Sequence, residues 1–223
     1  MSERGVIFLY WGDSVENELS RSIDSLKHLH PELPYERVKL PEGSSLLDKS
    51  AMFTHSPFEI TLFLDTDTVV LDRLDYGFDK ADKYGLACCI NECPWARRYG
   101  DIAGDQIEYN TGVLFFTKAA QPVFDRWKDI SHAIDSSIVF RREGKTHLMP
   151  HNDQAGFSQA IEDTGFNPFI LPLNWNYRPA WQKSFFGPIK VWHDRSQVPD
   201  GVRFWNEHQS LEASIIHYTG DSR

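Results

Sequence analysis

The sequence predicts an α/β fold, a Rossmann-like mixed, mostly parallel sheet flanked by helices. Three observations point there. Short apolar runs alternate with amphipathic stretches in a β-α-β-α-β rhythm over the first sixty-odd residues, the pattern of strands joined by crossover helices. The first and third runs are apolar almost throughout, as strands covered on both faces read. The third run ends in a pair of acids, at the carboxyl end of a strand, where ligands bind in open sheets of this kind.

Taken in order, "GVIFLYW" (5–11) is a buried strand bounded by Gly residues. "SVENELSRSIDSLKHLH" places Val15, Leu19, Ile23, Leu26 and Leu29 on one helical stripe behind a Ser cap. "PYERVKL" is a second strand, "SSLLDKSAMFTHSP" a second helix closed by Pro57, and "EITLFL" a third strand. Downstream, "KYGLACCIN" and "YNTGVLFFTK" (109–118) are strands, and "AAQPVFDRWKDISHAIDSSIVF" is a helix. "HNDQAGFSQAIEDTG" is another helix, with Asn152 or Asp153 as cap and Gly165 as stop. "FNPFILPLNWNYRP" runs from a strand into a loop rich in rings and amides, and "SIIHYTGDSR" ends the chain as a short strand and polar tail.

A length of 223 residues suits one good core, so residues 1–223 read as a single domain. Aromatic content is high at 13%, which suits a chain that packs rings in its core and also lines a polar-ligand cleft with them. The net charge of −9 argues against nucleic acid as a partner. Cys88, Cys89 and Cys93 are odd in number and bunched, so they make neither a disulfide framework nor a zinc site. The N-terminal apolar run is too short for a signal peptide and no window reaches the length of an integral membrane segment, so the expected location is cytoplasmic.

"TLFLDTDTVVLD" (61–72) carries the chemistry. Asp65 and Asp67 concentrate negative charge that a cation makes comfortable, and hard oxygen ligands suit Mg²⁺ or Mn²⁺ bridging a diphosphate. Two other readings fit the same residues. Asp and Thr often end strands in plain turns. "LFLDTDTVV" also fits the haloacid dehalogenase pattern, in which Asp65 is a phosphoryl-accepting nucleophile, although two βα units precede it here.

The motifs in order, "LFLDTDTVV", "YNTGVLFF", "NDQAGF", "LPLNWNYRP" and "IIHYTGDSR", resemble the glycogenin and bacterial galactosyltransferase family, which are metal-dependent, retaining glycosyltransferases of GT-A type. The resemblance implies that Asp65 and Asp67 approach the metal, with Asp65 and Thr66 also beside the nucleotide. It implies that His217 completes the metal shell, and that Gly220 and Arg223 clamp the donor phosphates, Arg223 standing where the family has Lys. Asn110 matches an Asn near the donor sugar, with Gly112 giving close backbone approach, and Asp153 and Gln154 match a pair next to the reacting carbon. Tyr10, Trp11 and Asp13 end the first strand, where the nucleotide base lies. Lys49 is a candidate phosphate contact, the alternative being a solvated helix lysine. Asn174, Trp175, Asn176 and Tyr177 form a candidate acceptor-facing loop. His28, His30, His55, His132 and His208 show no convergent spacing and read as surface groups.

These expectations describe an enzyme with Mn²⁺ or Mg²⁺ as cofactor, a UDP-sugar as donor and a sugar or other small molecule as acceptor. Residues 1–118 form the nucleotide-sugar half, and 119–223 supply the acceptor side and the metal-completing C-terminal segment. Alternatives are a phosphohydrolase using Asp65, or a protein that binds a nucleotide sugar without turning it over.

Overall fold

The structure is a computed structural model describing residues 3–91, 106–142, 144–182 and 187–212. Its strands are β1 (Arg4–Tyr10), β2 (Tyr35–Lys39), β3 (Ile60–Leu64), β4 (Thr68–Val70), β5 (Leu86–Ile90), β6 (Tyr109–Thr117), β7 (Ile138–Arg142), β8 (Lys145–Met149), β9 (Phe169–Leu171) and β10 (Val191–His193). Its helices are α1 (Glu16–Leu29), α2 (Ala51–His55), α3 (Asp75–Tyr84), α4 (Gln121–Ile130), α5 (Asp153–Thr164) and α6 (Asp200–Glu212).

Six strands form the central sheet in the order β2-β1-β3-β6-β5-β9. β1 pairs parallel with both β2 and β3, and β5 parallel with β9; β6 runs antiparallel to both its neighbours, β3 and β5. The near-continuous apolar runs follow from burial on both faces. Val6, Phe8, Leu62, Leu64 and Phe115 point into one core with Leu19, Ile23 and Leu26 of α1 and Phe78 of α3. Their alternates Ile7, Leu9, Phe63, Leu114 and Phe116 point into the other, against Met52, Phe124, Trp127 and Phe157 of α2, α4 and α5. Gly77 of α3 sits flat on the Phe115 ring, where any Cβ would collide.

Several elements depart from the sequence reading. The helix expected over 44–57 splits, because Ser45 and Asp48 close a capping box around a 3₁₀ turn, Leu46–Asp48, before α2 begins. The long helix expected over 119–140 stops at Ile130, and the β-branched pair Ile138 and Val139 enters a separate hairpin, β7–β8. The "SIIHYTGDSR" strand lies outside the described residues. α3, α6 and the three-residue strands β4 and β10 had no clear sequence signal. α5 begins as expected, with the Asn152 side chain accepting the Gln154 N–H, and ends at Gly165 in the left-handed region.

The sheet carries one irregularity that matters. Cys88 of β5 pairs with Leu114, but Cys89 pairs with Asn110, leaving Thr111, Gly112 and Val113 of β6 without an opposite residue on β5. The bulge lies beside the end of β3, where it re-aims β6 side chains.

Candidate active site

β3 ends at Leu64, and the Asp65 N–H is held by the Gly112 carbonyl (2.9 Å), which keeps the first acid against β6. The chain then turns, and β4 leaves antiparallel to β10, with Thr68 opposite His193. That register sets the His193 ring beside both acids: Nε2 is 3.3 Å from Asp67 Oδ1 and 3.6 Å from Asp65 Oδ2. One ligand atom from each of Asp65, Asp67 and His193 lies within 4.8 Å of the others. Two carboxylates and an imidazole are a donor set that fits Mn²⁺ or Mg²⁺.

The tautomer of His193 is fixed from the backbone outward. The Gly112 N–H can only donate, and it donates to Asn110 Oδ1 (2.9 Å). Asn110 Oδ1 also accepts from Asn176 Nδ2 (2.7 Å), so Asn176 presents its oxygen to His193 Nδ1 (2.7 Å). His193 therefore donates from Nδ1 and turns Nε2 toward the acids, where a neutral ring would offer its lone pair to a metal. This is the outer-shell arrangement that orients a metal-binding imidazole. Gly112 is required for a second reason: a Cβ there would collide with the His193 ring and crowd Asp65 Oδ2. Its lack of a side chain makes room for the histidine.

Helix α1 braces the acid turn and β10 from behind. Thr68 Oγ1 donates to the Asp65 carbonyl (2.7 Å), which leaves Ser22 Oγ as the donor to Thr68 (2.8 Å). Ser25 Oγ accepts the Val70 N–H (2.9 Å). The Arg21 guanidinium donates to the carbonyls of Asp194, Arg195 and Ser196 at 2.9–3.0 Å, and the Asp194 N–H returns to the Asp67 carbonyl (3.1 Å).

Lys49 is buried at 3% exposure, which excludes a solvated helix lysine. Its ammonium lies 2.8 Å from Asp65 and 2.7 Å from Asp153. Burial opposes its charge, but the two carboxylates outweigh burial and raise its pKa. Asp153, the first residue of α5, also accepts from Thr111, one of the bulged residues. Burial pushes the Asp65 carboxyl up against the pull of Lys49 and His193. Burial acts the same way on Asp67, but there the His193 charge and hydrogen bond prevail and hold the carboxyl well below the usual range.

These groups open onto a cavity of about 570 Å³. It brings together Tyr10, Trp11, Lys49, Asp65, Thr66, Asp67, Asn110, Asp153 and Gln154 from the sequence reading. Asp13 does not join them; it is exposed and paired with Lys39. His217, Gly220 and Arg223 lie outside the described residues. Trp175 and Tyr177 are buried in the core and Asn174 bonds the Pro188 carbonyl, so the loop expected to face an acceptor instead packs inward. His30 is likewise buried, accepting the Leu74 N–H at Nε2 (2.9 Å), and is not a surface group. Sequence reasoning missed His193, Thr111, Arg178 and Arg195, all on the cavity wall. "IKVWHD" carried the one usable signal: an apolar run ending in a ligand-type residue, as "LFLD" does.

No protein-family model matches the chain, and no curated protein matches it. Solved structures do. Mouse xyloside xylosyltransferase 1, in its apo form, matches with a TM-score of 0.57 at 13% identity over 87% of this chain and 99% of that one. The galactosyltransferase LgtC, solved with donor and acceptor sugar analogues, matches with a TM-score of 0.56 at 14% identity, covering 95% and 96% of the two chains. Apo GlyE, a glycosyltransferase of Streptococcus pneumoniae, reaches 0.60 at 13% identity over 93% of this chain and 60% of that longer one. The fold is therefore that of these glycosyltransferases, the GT-A-type architecture that the sequence resemblance implies. No described helix is long and apolar enough to cross a membrane.

Proposed function

We propose that the chain is a metal-dependent glycosyltransferase that moves a hexose from a UDP-hexose to an acceptor with retention of configuration. The observation that carries this reading is the convergence of Asp65, Asp67 and the Nε2 side of His193 at the mouth of one cavity, on a fold shared with glycosyltransferases. Asp65, Asp67 and His193 would hold Mn²⁺ or Mg²⁺, which when bound supplies positive charge against the departing diphosphate. His193 takes the ligand role that the resemblance gives to His217.

The protein groups divide the remaining work. Tyr10 and Trp11, half-buried at the end of β1, offer ring faces to the nucleotide base. Arg178 and Arg195 line the cavity wall, from which they would meet the phosphates. Lys49, which also lines the cavity, holds Asp65 and Asp153 in place. Asp153 and Gln154 lie where the anomeric carbon develops positive charge. Gln154 is steadied by Glu108 (Nε2 to Oε1, 3.3 Å), and Asn110 holds both Gly112 and Asn176. Residues 1–118 supply the donor side, and 119–223 supply His193 and the acceptor side.

Calorimetry with Mn²⁺ and UDP tests the reading. Wild type binds UDP only with the metal present, and Asp67→Ala abolishes that dependence while the fold persists. Unchanged UDP affinity in Asp67→Ala removes the central claim. Hydrolysis of a UDP-hexose in Mn²⁺ separates an enzyme from a protein that only binds nucleotide sugars. The phosphohydrolase reading gains no support from a sheet in which Asp65 follows the third strand.

A further inference from the structure

We propose that Glu108 is a positioning residue that sets the polarity of the Gln154 amide, holding its nitrogen inward and turning its carbonyl oxygen to the cavity, against the positive charge that develops on the transferred sugar. The catalytic consequence rests on the sugar-transfer reading above; the orientation of the amide does not.

Glu108 is 6% exposed and does not line the cavity, whereas Gln154 does. Three ties fix where the Glu108 carboxyl lies. The Asn91 N–H, just past β5, donates to the Glu108 carbonyl (2.7 Å). The Tyr109 N–H donates to Ser158 Oγ (3.0 Å), and Gln106 Nε2 donates to the Ser158 carbonyl (3.2 Å). Ser158 stands on α5 four residues after Gln154, on the same face of the helix. The segment entering β6 is thereby laced to α5, and the Glu108 carboxyl comes to rest against the Gln154 amide.

The direction of each hydrogen bond follows from Arg178. A guanidinium only donates, so Arg178 Nη1 meets the Asn91 amide at Oδ1 (3.3 Å). Asn91 then presents Nδ2 to Glu108 Oε1. A carboxylate oxygen only accepts, so the same Oε1 takes a second N–H, from Gln154 Nε2 (3.3 Å). With its nitrogen committed, Gln154 is left to offer Oε1 to the cavity. The Gln154 backbone is held separately, its N–H donated to Asn152 Oδ1 (2.8 Å), so the contact with Glu108 governs the side-chain amide alone.

Amide polarity decides what the group does. A carbonyl oxygen is the negative end of the dipole and lowers the energy of a positive anomeric carbon, while an N–H in its place raises it. That interaction is made only in the transition state, so it acts on kcat and leaves donor binding alone. Glu108 contributes an acceptor atom more than a charge. Glu108→Gln still meets Asn91 Nδ2 with an oxygen and so holds Gln154 the same way; Glu108→Met cannot.

The full chain, ¹⁵N-labelled at glutamine, reads the amide by NMR, with Gln154→Glu identifying the Gln154 signal. In wild type one Gln154 Nε2 proton lies downfield of the exposed glutamines. Glu108→Gln keeps it there, and Glu108→Met returns it to the exposed position. UDP-hexose hydrolysis in Mn²⁺ reads the consequence. In Glu108→Met kcat falls roughly 100-fold, the scale of a misplaced catalytic group, while KM and Mn²⁺-dependent UDP affinity hold; Glu108→Gln keeps most of kcat. Circular dichroism confirms that both variants melt with wild type. A wild-type Gln154 signal at the exposed position, or one indifferent to Glu108→Met, overturns the proposal. So does an unchanged kcat in Glu108→Met, an equal loss in Glu108→Gln, or a loss of UDP affinity equal to the loss of kcat, which marks a merely structural contact. Absent hydrolysis by wild type strikes the sugar-transfer reading, and the NMR comparison, which needs no turnover, still decides the orientation.

Discussion

Replacing Asn176 with Ala isolates the hydrogen-bond chain behind the metal site. Asn176 is 1% exposed and does not line the active-site cavity. Its removal deletes two bonds of 2.7 Å, one to Asn110 and one to His193 Nδ1. Asn110 Oδ1 keeps the Gly112 N–H, so the orphaned group is the His193 donor, and the stability loss is that of one buried unsatisfied group, about 1–3 kcal/mol. Without its outer partner the imidazole loses its fixed tautomer and orientation, which lowers metal affinity by about 10–100-fold. Asn176→Asp separates the two effects. It still accepts from His193 Nδ1 but sets an oxygen against Asn110 Oδ1, so it loses stability while keeping Mn²⁺ affinity within a few-fold. Urea denaturation in EDTA reads the first quantity and Mn²⁺ calorimetry the second. Wild-type Mn²⁺ affinity in Asn176→Ala, or an equal loss in both variants, refutes the tautomer assignment.

Other substitutions probe neighbouring contacts. His193→Ala abolishes Mn²⁺ binding by calorimetry, whereas His217→Ala retains it; the reverse result returns the ligand role to His217. Gly112→Ala forces the His193 ring away, so Mn²⁺-dependent UDP binding is lost while a folded circular dichroism spectrum remains. Lys49→Met leaves Asp65 and Asp153 buried without their counter-charge, and chemical denaturation shows a loss of about 3–5 kcal/mol, partly restored by Mn²⁺. Burial pushes the Tyr109 phenol up to about 12. The unfolded chain ionises first, near pH 10, so stability is intact below that value and falls as pH rises from about 10 to 12; Tyr109→Phe flattens the fall in urea titrations.

The sheet was legible because each core strand is apolar on both faces, and a run such as "GVIFLYW" has few other places to go. Asp65 and Asp67 were legible because acids at the end of such a run need a partner. Asn152 and Gly165 gave α5 its ends through cap chemistry alone. His217 lies outside the described residues, and the imidazole found beside the acids, His193, was missed for a physical reason. "HYTG" near the C-terminus looks like the family motif, while His193 sits on a three-residue strand whose pairing with β4 is invisible until both are folded. Trp175 and Tyr177 read as ligand-facing because rings serve cores and sugar sites alike. The inward role of Lys49 depended on a bulge that brings Thr111 and Asp153 to its ammonium, and nothing in the local sequence distinguishes it from a solvated lysine.

The assembled charges argue for a divalent partner more strongly than the acid pair could. Asp65 and Asp153 flank one buried ammonium, Asp67 lies beside them, and His193 adds no charge when its Nε2 ligates a metal. Three carboxylates against one lysine leave two negative charges in a cavity walled by the core, where charge is poorly solvated. Lys49 cannot cancel them, because it already spans Asp65 and Asp153 and has no reach to spare for Asp67. A cation of charge two between Asp65, Asp67 and His193 balances the inner site. Arg178, which donates to Asn91 (3.3 Å), and Arg195, 3.5 Å from Glu18, add positive charge on the cavity wall. On the proposed reading a diphosphate meets positive charge from two sides there, the metal on one and the arginines on the other.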